Sequence, residues 1–163
     1  MNQRETFGPL ILRLLIAFVL LIFIFIYVDP LNAMQVEAEM LNIIVFGVFL
    51  PLMFTGITIV GCLLLSLPLR LIQKVDAWWK SIAIWQLVGL CLGVLLLILS
   101  KQSFLRHDGF YVVANEKQPT TFANEYISLS GWFLTAFFLL NIYPTSVFNS
   151  IKELFSKTRK PNS

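Results

Sequence analysis

Apolar and polar positions alternate along this chain on a coarse scale, as long apolar runs separated by polar stretches. The runs cover 8–28, 41–67, 81–100 and 126–143. Each is close to or above the ~20 residues with which a helix crosses ~30 Å of hydrocarbon. Connectors of about 12, 13 and 25 residues join them, and short connections make successive helices antiparallel neighbours. The pattern predicts an all-α integral membrane protein, a single domain over 1–163 built as a four-helix up-down-up-down bundle. The first run resembles a signal peptide in its position, but it exceeds a ~7–15-residue signal core and has no small-x-small site before "YVDP". It is read as a span.

Within the runs, Pro51 predicts a kink near Phe46 to Pro51, because proline removes one helix hydrogen bond and crowds the preceding turn. Pro68 closes the second run. The first connector, "DPLNAMQVEAEM", has room for a helical turn or two. In "LRLIQKVDAWWKS", Leu69, Ile72, Val75 and Trp79 recur at helical spacing while Arg70, Lys74 and Lys80 face elsewhere. This predicts an interfacial helix with Trp78 and Trp79 anchored among headgroups. After Pro144, "TSVFNSIKELFSKTRK" places Val147, Ile151, Leu154 and Phe155 on one face and Lys152, Lys157, Arg159 and Lys160 on others. It reads as an amphipathic tail over 144–160, held on anionic lipid or docked on a partner. The connector 101–125 is different. "GFYVVA" and "TTFANE" flank the turn-rich "NEKQPT", which predicts a small hairpin on the membrane face.

Composition agrees with insertion: 58% of residues are hydrophobic and 13% charged, against roughly 25% charged in soluble domains, and the mean hydropathy is +0.81. Charge then orients the chain. Nine of the 12 Lys/Arg fall at the N-terminal end, the middle connector and the C-terminal tail, leaving Lys101, Arg106 and Lys117 for the other side. The positive-inside rule places both termini in the cytoplasm. Six of the nine acidic residues fall on the opposite side. The net charge of +3 thus reflects orientation in a bilayer, and a nucleic-acid partner is not expected.

Chemistry is sparse. Cys62 and Cys91 lie in apolar runs at different depths, without the cations that activate a thiol. Quinone-linked four-helix thiol oxidoreductases need cysteine pairs in their outer connectors, which this chain lacks. One histidine, His107, excludes bis-histidine haem ligation within the chain and makes a zinc site implausible. Phosphate loops, nucleophile elbows and His-Glu-x-x-His are absent. His107 and Asp108 beside Glu116 and Glu125 could form an acid–base pair, but such residues in a polar connector read more simply as solvated surface. Neither an enzyme nor a cofactor or metal site is expected.

Polar residues inside the runs read as structure. Arg13 can snorkel to the inner interface. Gln86 and Asn141 sit at comparable depth and could hydrogen-bond between helices. Gly89 and Gly93 in "GLCLG" form a small-residue face for close helix packing, within the molecule by preference over a homo-oligomer, which stays open. Gly56 and Gly131 are assigned the same use.

Recognition therefore falls to the 101–125 connector and the outer halves of the third and fourth runs, with Phe104, His107, Phe110, Tyr111 and Phe122 as the connector's candidate contacts. Four spans, cytoplasmic ends, a long polar connector before the last span and a basic tail after a proline together resemble the outline of immunity proteins for pore-forming bacteriocins. The resemblance implies a multi-pass protein of the bacterial inner membrane that binds a toxin's inserted hairpin and blocks its pore. The competing reading is an accessory subunit of a larger membrane complex. A small transporter or channel is a third, disfavoured by the lack of inward-facing charge within the runs.

Overall fold

The computed structural model describes residues 7–30, 44–113, 116–143, 148 and 152. Helix α1 spans Phe7–Val28. It stops at Asp29, whose φ of 45° lies in the left-handed region that aspartate tolerates better than most side chains. Pro30 follows.

The next helical stretch opens with a π turn, Val45–Phe49, and continues as α2, Leu50–Leu65, with Pro51 in its first turn. Where a kink is predicted, at Phe46 to Pro51, the helix carries a π turn and continues as one stretch to Leu65. A proline ring crowds the carbonyl four residues back and offers no N–H. Widening the turn so that the Leu50 N–H donates to the Val45 carbonyl relieves that conflict without ending the helix.

The expected single interfacial helix is two short ones, α3 (Leu67–Leu71) and α4 (Gln73–Ser81), broken at Ile72, which is extended (ψ 106°). Leu69 and Trp79 turn inward while Ile72 stays exposed, so the apolar spacing does not describe one face. Helix α5 (Ala83–Leu99) follows after a bend of 74°. A 3₁₀ turn at Ser103–Leu105 leads to β1 (His107–Val113) and β2 (Glu116–Phe122), an antiparallel pair with His107 opposite Phe122 and Phe110 opposite Pro119. The turn comes earlier than expected: 116–120, read as turn in "NEKQPT", belong to β2, while Ala123 and Asn124 of "TTFANE" leave the strand and Glu125 starts the next helix. Helix α6 spans Glu125–Asn141, and the Asn124 side chain caps it by accepting from the Ile127 N–H at 3.2 Å.

Helices stand at all four predicted positions, yet length and apolarity support fewer crossings. Two stretches suffice, Ile11–Val28 and Val45–Leu65, or three if α4 and α5 are one bent span. Helix α6 has 17 residues, about 25 Å at ~1.5 Å per residue, and it carries serine, threonine and asparagine. The tail predicted after Pro144 lies outside the described residues except for Phe148 and Lys152, both helical and exposed. Lys157 and the 31–43 segment also lie outside them.

Helix α6 is the hub, packing most extensively on α5 and also on α2 and α1. Trp132, Ala136 and Leu140 repeat every four residues and meet Ala17, Leu21 and Phe25, which repeat likewise on α1, together with Ile59, Cys62 and Leu97. Outward faces are as apolar as the core: Leu15, Val19 and Phe23 are exposed on α1, and Ile57, Val60 and Leu64 on α2. Side chains of intermediate polarity go inward, among them Thr55, Thr58, Gln86, Ser128 and Thr135. That arrangement suits lipid, where apolar burial does not drive helices together and small or hydrogen-bonding residues do.

Candidate functional site

Two polar clusters close the bundle, one at the hairpin end and one at the α4 end. At the hairpin end, α5 stops at Ser100, whose hydroxyl donates to the Leu97 carbonyl at 2.8 Å. The Asn124 N–H donates to the Ser100 carbonyl at 3.3 Å, tying the hairpin's exit to its entrance. Arg106 Nε donates to the Lys101 carbonyl at 2.8 Å, and Lys101 Nζ reaches the Tyr27 carbonyl at 3.5 Å. Burial holds the Lys101 ammonium below its ordinary pKa; Asp29 opposes that shift and Arg106 adds to it. Asp29 itself is buried.

The hairpin displays the predicted recognition residues unevenly. Phe104 and Phe110 are 74% and 68% exposed, and His107 is exposed as well. Phe122 is half-buried because its ring lies over Gly109, where an added Cβ would stand 2.5 Å from the ring. The His107 and Phe122 rings are 5.8 Å apart. Thus His107 and Phe122 come together on one side of the strand pair, whereas Phe110 belongs to the alternate set. Tyr111 lies in β1 opposite Gln118. Among the described residues, no three His, Cys, Asp or Glu side chains gather as metal ligands would.

The α4 end departs from expectation. Trp78 is exposed, but Trp79 is buried at 8% exposure, stacked on Phe138 with centroids 5.9 Å apart and edge-on to Phe137. Its indole N–H donates to the Asn141 carbonyl at 2.8 Å. A tryptophan so placed serves as a peg between α4 and α6, and only Trp78 keeps an anchor's exposure. Gln86 and Asn141 share this cluster, but their side-chain hydrogen bonds go to other partners. Gln86 Nε2 donates to the Trp79 carbonyl and Gln86 Oε1 accepts from the Tyr143 N–H at 3.2 Å, while Asn141 Nδ2 turns back to the Phe137 carbonyl. The Tyr143 hydroxyl lies 3.0 Å from Asp76 Oδ1, and Lys80 pairs with Asp76 at 2.7 Å. Arg13 and Lys80 stand over the Tyr143 ring at 5.5 and 4.8 Å from its centroid.

The sequence reading missed Tyr143 as the hub of this cluster. It sits at the end of an apolar run, where an interfacial tyrosine is ordinary and carries no special signal. Trp132 was also missed: fully buried, it is edge-on to Phe25 and donates through Nε1 to the Thr58 hydroxyl at 3.0 Å.

Gly93 and Gly131 bring α5 and α6 into close contact, since a Cβ at 93 would stand 2.7 Å from the Thr135 nitrogen and one at 131 would stand 2.8 Å from the Leu97 nitrogen. The ring of Phe138 covers Gly89. This small-residue face is thus filled within the molecule. Gly56 differs from its assignment: a Cβ there meets nothing within 4 Å. It floors an outward apolar groove of about 360 Å³ lined by Leu52, Met53, Ile57 and Val60. Comparisons with protein-family models, with curated proteins and with solved structures find no match to this chain.

Proposed function

We propose that this is a small multi-pass membrane protein that acts by protein–protein recognition at its hairpin end, as an immunity or exclusion protein against a pore-forming toxin. The observation that carries the reading is the hairpin, which presents Phe104 and Phe110 to the surroundings on strands with no extensive helix packing. Large exposed aromatics of this kind are the usual anchors of a protein interface. In this reading α5 and α6 both cross, giving four spans in the bacterial inner membrane with the termini and the α4 end in the cytoplasm. The 74° bend before α5 fits an α4 that lies along the inner surface.

An inserting partner would meet the hairpin first and then pack along α5 and α6 by van der Waals fit and a few hydrogen bonds. No bond-making step is assigned to the protein, and its effect is to hold the partner's inserted segment in a closed arrangement. The test replaces residues 101–125 with a Gly/Ser linker of equal length, checks insertion, and measures toxin protection and co-purification of the partner. Loss of both is expected, and unchanged protection overturns the reading.

A second reading, an accessory subunit of a membrane complex, is favoured by the groove over Gly56, which would admit a ridge from a neighbouring helix. Leu or Phe in place of Gly56 would then abolish co-purification while leaving the hairpin intact.

A further inference from the structure

The hairpin is a two-stranded sheet, and such a pair alone is marginal in water. Its two outer edges differ. Pro119, opposite Phe110, has no N–H and cannot give a ladder bond, so this pair occupies a non-hydrogen-bonded position. By alternation, the backbone groups of Asp108, Phe110 and Val112 point away from β2, and those of Lys117, Pro119 and Thr121 point away from β1. The β2 edge therefore lacks its central donor and carries an exposed lysine, two devices that block strand addition. The β1 edge keeps every donor and acceptor, with Asp108 and Phe110 exposed beside them.

We propose that β1 pairs antiparallel with β1 of a second copy, centred on Phe110, so that two hairpins join into one four-stranded sheet. This register sets Phe110 opposite Phe110 of the partner subunit and Asp108 opposite Val112 of the partner subunit. It uses all three outward-facing residues of each strand, for about six backbone hydrogen bonds, and places two large aromatic side chains face to face across the strands. Asp108, the strand's acidic residue, meets an apolar one. A register centred on Asp108 would oppose two carboxylates and leave Val112 unpaired. The two-fold axis of an antiparallel pair is perpendicular to the sheet, so two copies inserted the same way require the hairpin to lie parallel to the membrane surface. This pairing is independent of whether the protein recognises a toxin.

Phe110→Cys in a Cys62→Ala, Cys91→Ala background tests it in intact membranes. Residues at the centre of such a pair have Cα atoms about 5.5 Å apart, within disulfide reach. Oxidation is expected to give a covalent dimer, while Asp108→Cys, whose two copies would lie about 13 Å apart along the strands, gives none. Val112→Pro removes an N–H used only by the second copy and is expected to lower the Phe110→Cys dimer fraction about tenfold, with Val112→Ala close to the parent. Failure of Phe110→Cys to cross-link in normally inserted protein overturns the proposal. Equal cross-linking through Asp108→Cys overturns it too, as random collision. A cross-link to a different protein overturns self-pairing and gives the edge to a heterologous strand.

Discussion

Gly93 and Gly131 decide how near α5 and α6 approach, because the atoms a side chain would meet at each include backbone atoms, which cannot rotate away. Gly93→Ala is expected to destabilise the folded protein by about 1–3 kcal/mol, the range for forcing a methyl group into a packed core, and Gly56→Ala to be neutral or to stabilise by up to about 1 kcal/mol, since alanine is the better helix former. Thermal unfolding in detergent or lipid nanodiscs reads the difference. Two threonines one helical turn apart on α2 make a sharper comparison. The Thr58 hydroxyl donates to the Phe54 carbonyl at 2.8 Å and accepts from Trp132, whereas the buried Thr55 hydroxyl has no partner among the described residues. Thr58→Val therefore strands an indole N–H and should cost about 1–3 kcal/mol, while Thr55→Val removes an unpaired group and should be neutral or stabilising. Equal losses in the two variants would mean that both hydroxyls are hydrogen-bonded in the bilayer.

At the scale of elements, α4 is held by its Trp79 peg and by Asp76, which Tyr143 and Lys80 share. Trp79→Phe keeps a ring against Phe138 but loses the indole bond and part of the packed volume, so about 1–3 kcal/mol of stability should go, with Trp78→Phe as the silent control. A larger loss at Trp78, measured by the same unfolding assay, would restore the simple headgroup anchor. The sequence made the apolar helices, the presence of a hairpin and a departure from regular helix near Pro51 legible, because run length, β-prone residues and a missing N–H are local signals. It set the hairpin turn too late, because Glu116, Lys117, Gln118 and Pro119 of β2 carry little local strand preference. It did not tell Trp78 from Trp79. Which of two adjacent tryptophans turns inward depends on where the chain breaks, and the break at Ile72 follows from no residue with a strong local preference. Gly56 and Gly131 were equally indistinguishable, since a small residue at helical spacing marks a place where close approach is allowed but not the neighbour that takes it. Inward and outward faces are both apolar in such helices, so periodicity loses the contrast by which it normally finds a core.

For the whole molecule, the number of crossings decides which surfaces a partner can reach. Contacts order the helices partly: Leu97, Gly93 and Gly89 meet α6 at Gly131, Thr135 and Phe138 in turn, so α5 and α6 run antiparallel. Helix α1 also opposes α6, with Arg13 at Tyr143 and Phe25 at Trp132. These directions place the hairpin at the end of the bundle opposite α4. If α6 crosses, its 17 residues cover a little less than the usual ~30 Å of hydrocarbon, and the shortfall falls where Asn124 and Glu125 at one end and Tyr143 at the other can sit among headgroups. The basic residues Arg70, Lys74 and Lys80 favour a cytoplasmic α4. Single cysteines in the Cys62→Ala, Cys91→Ala background at Lys74 and Lys117, probed in intact cells with a membrane-impermeant maleimide, are expected to label at 117 and to stay protected at 74. Labelling at both positions would place the two clusters on one side of the membrane and exclude a crossing of α5. The reverse pattern would keep that crossing and invert the protein, moving the hairpin to the cytoplasm, where a toxin arriving from outside could not meet it first.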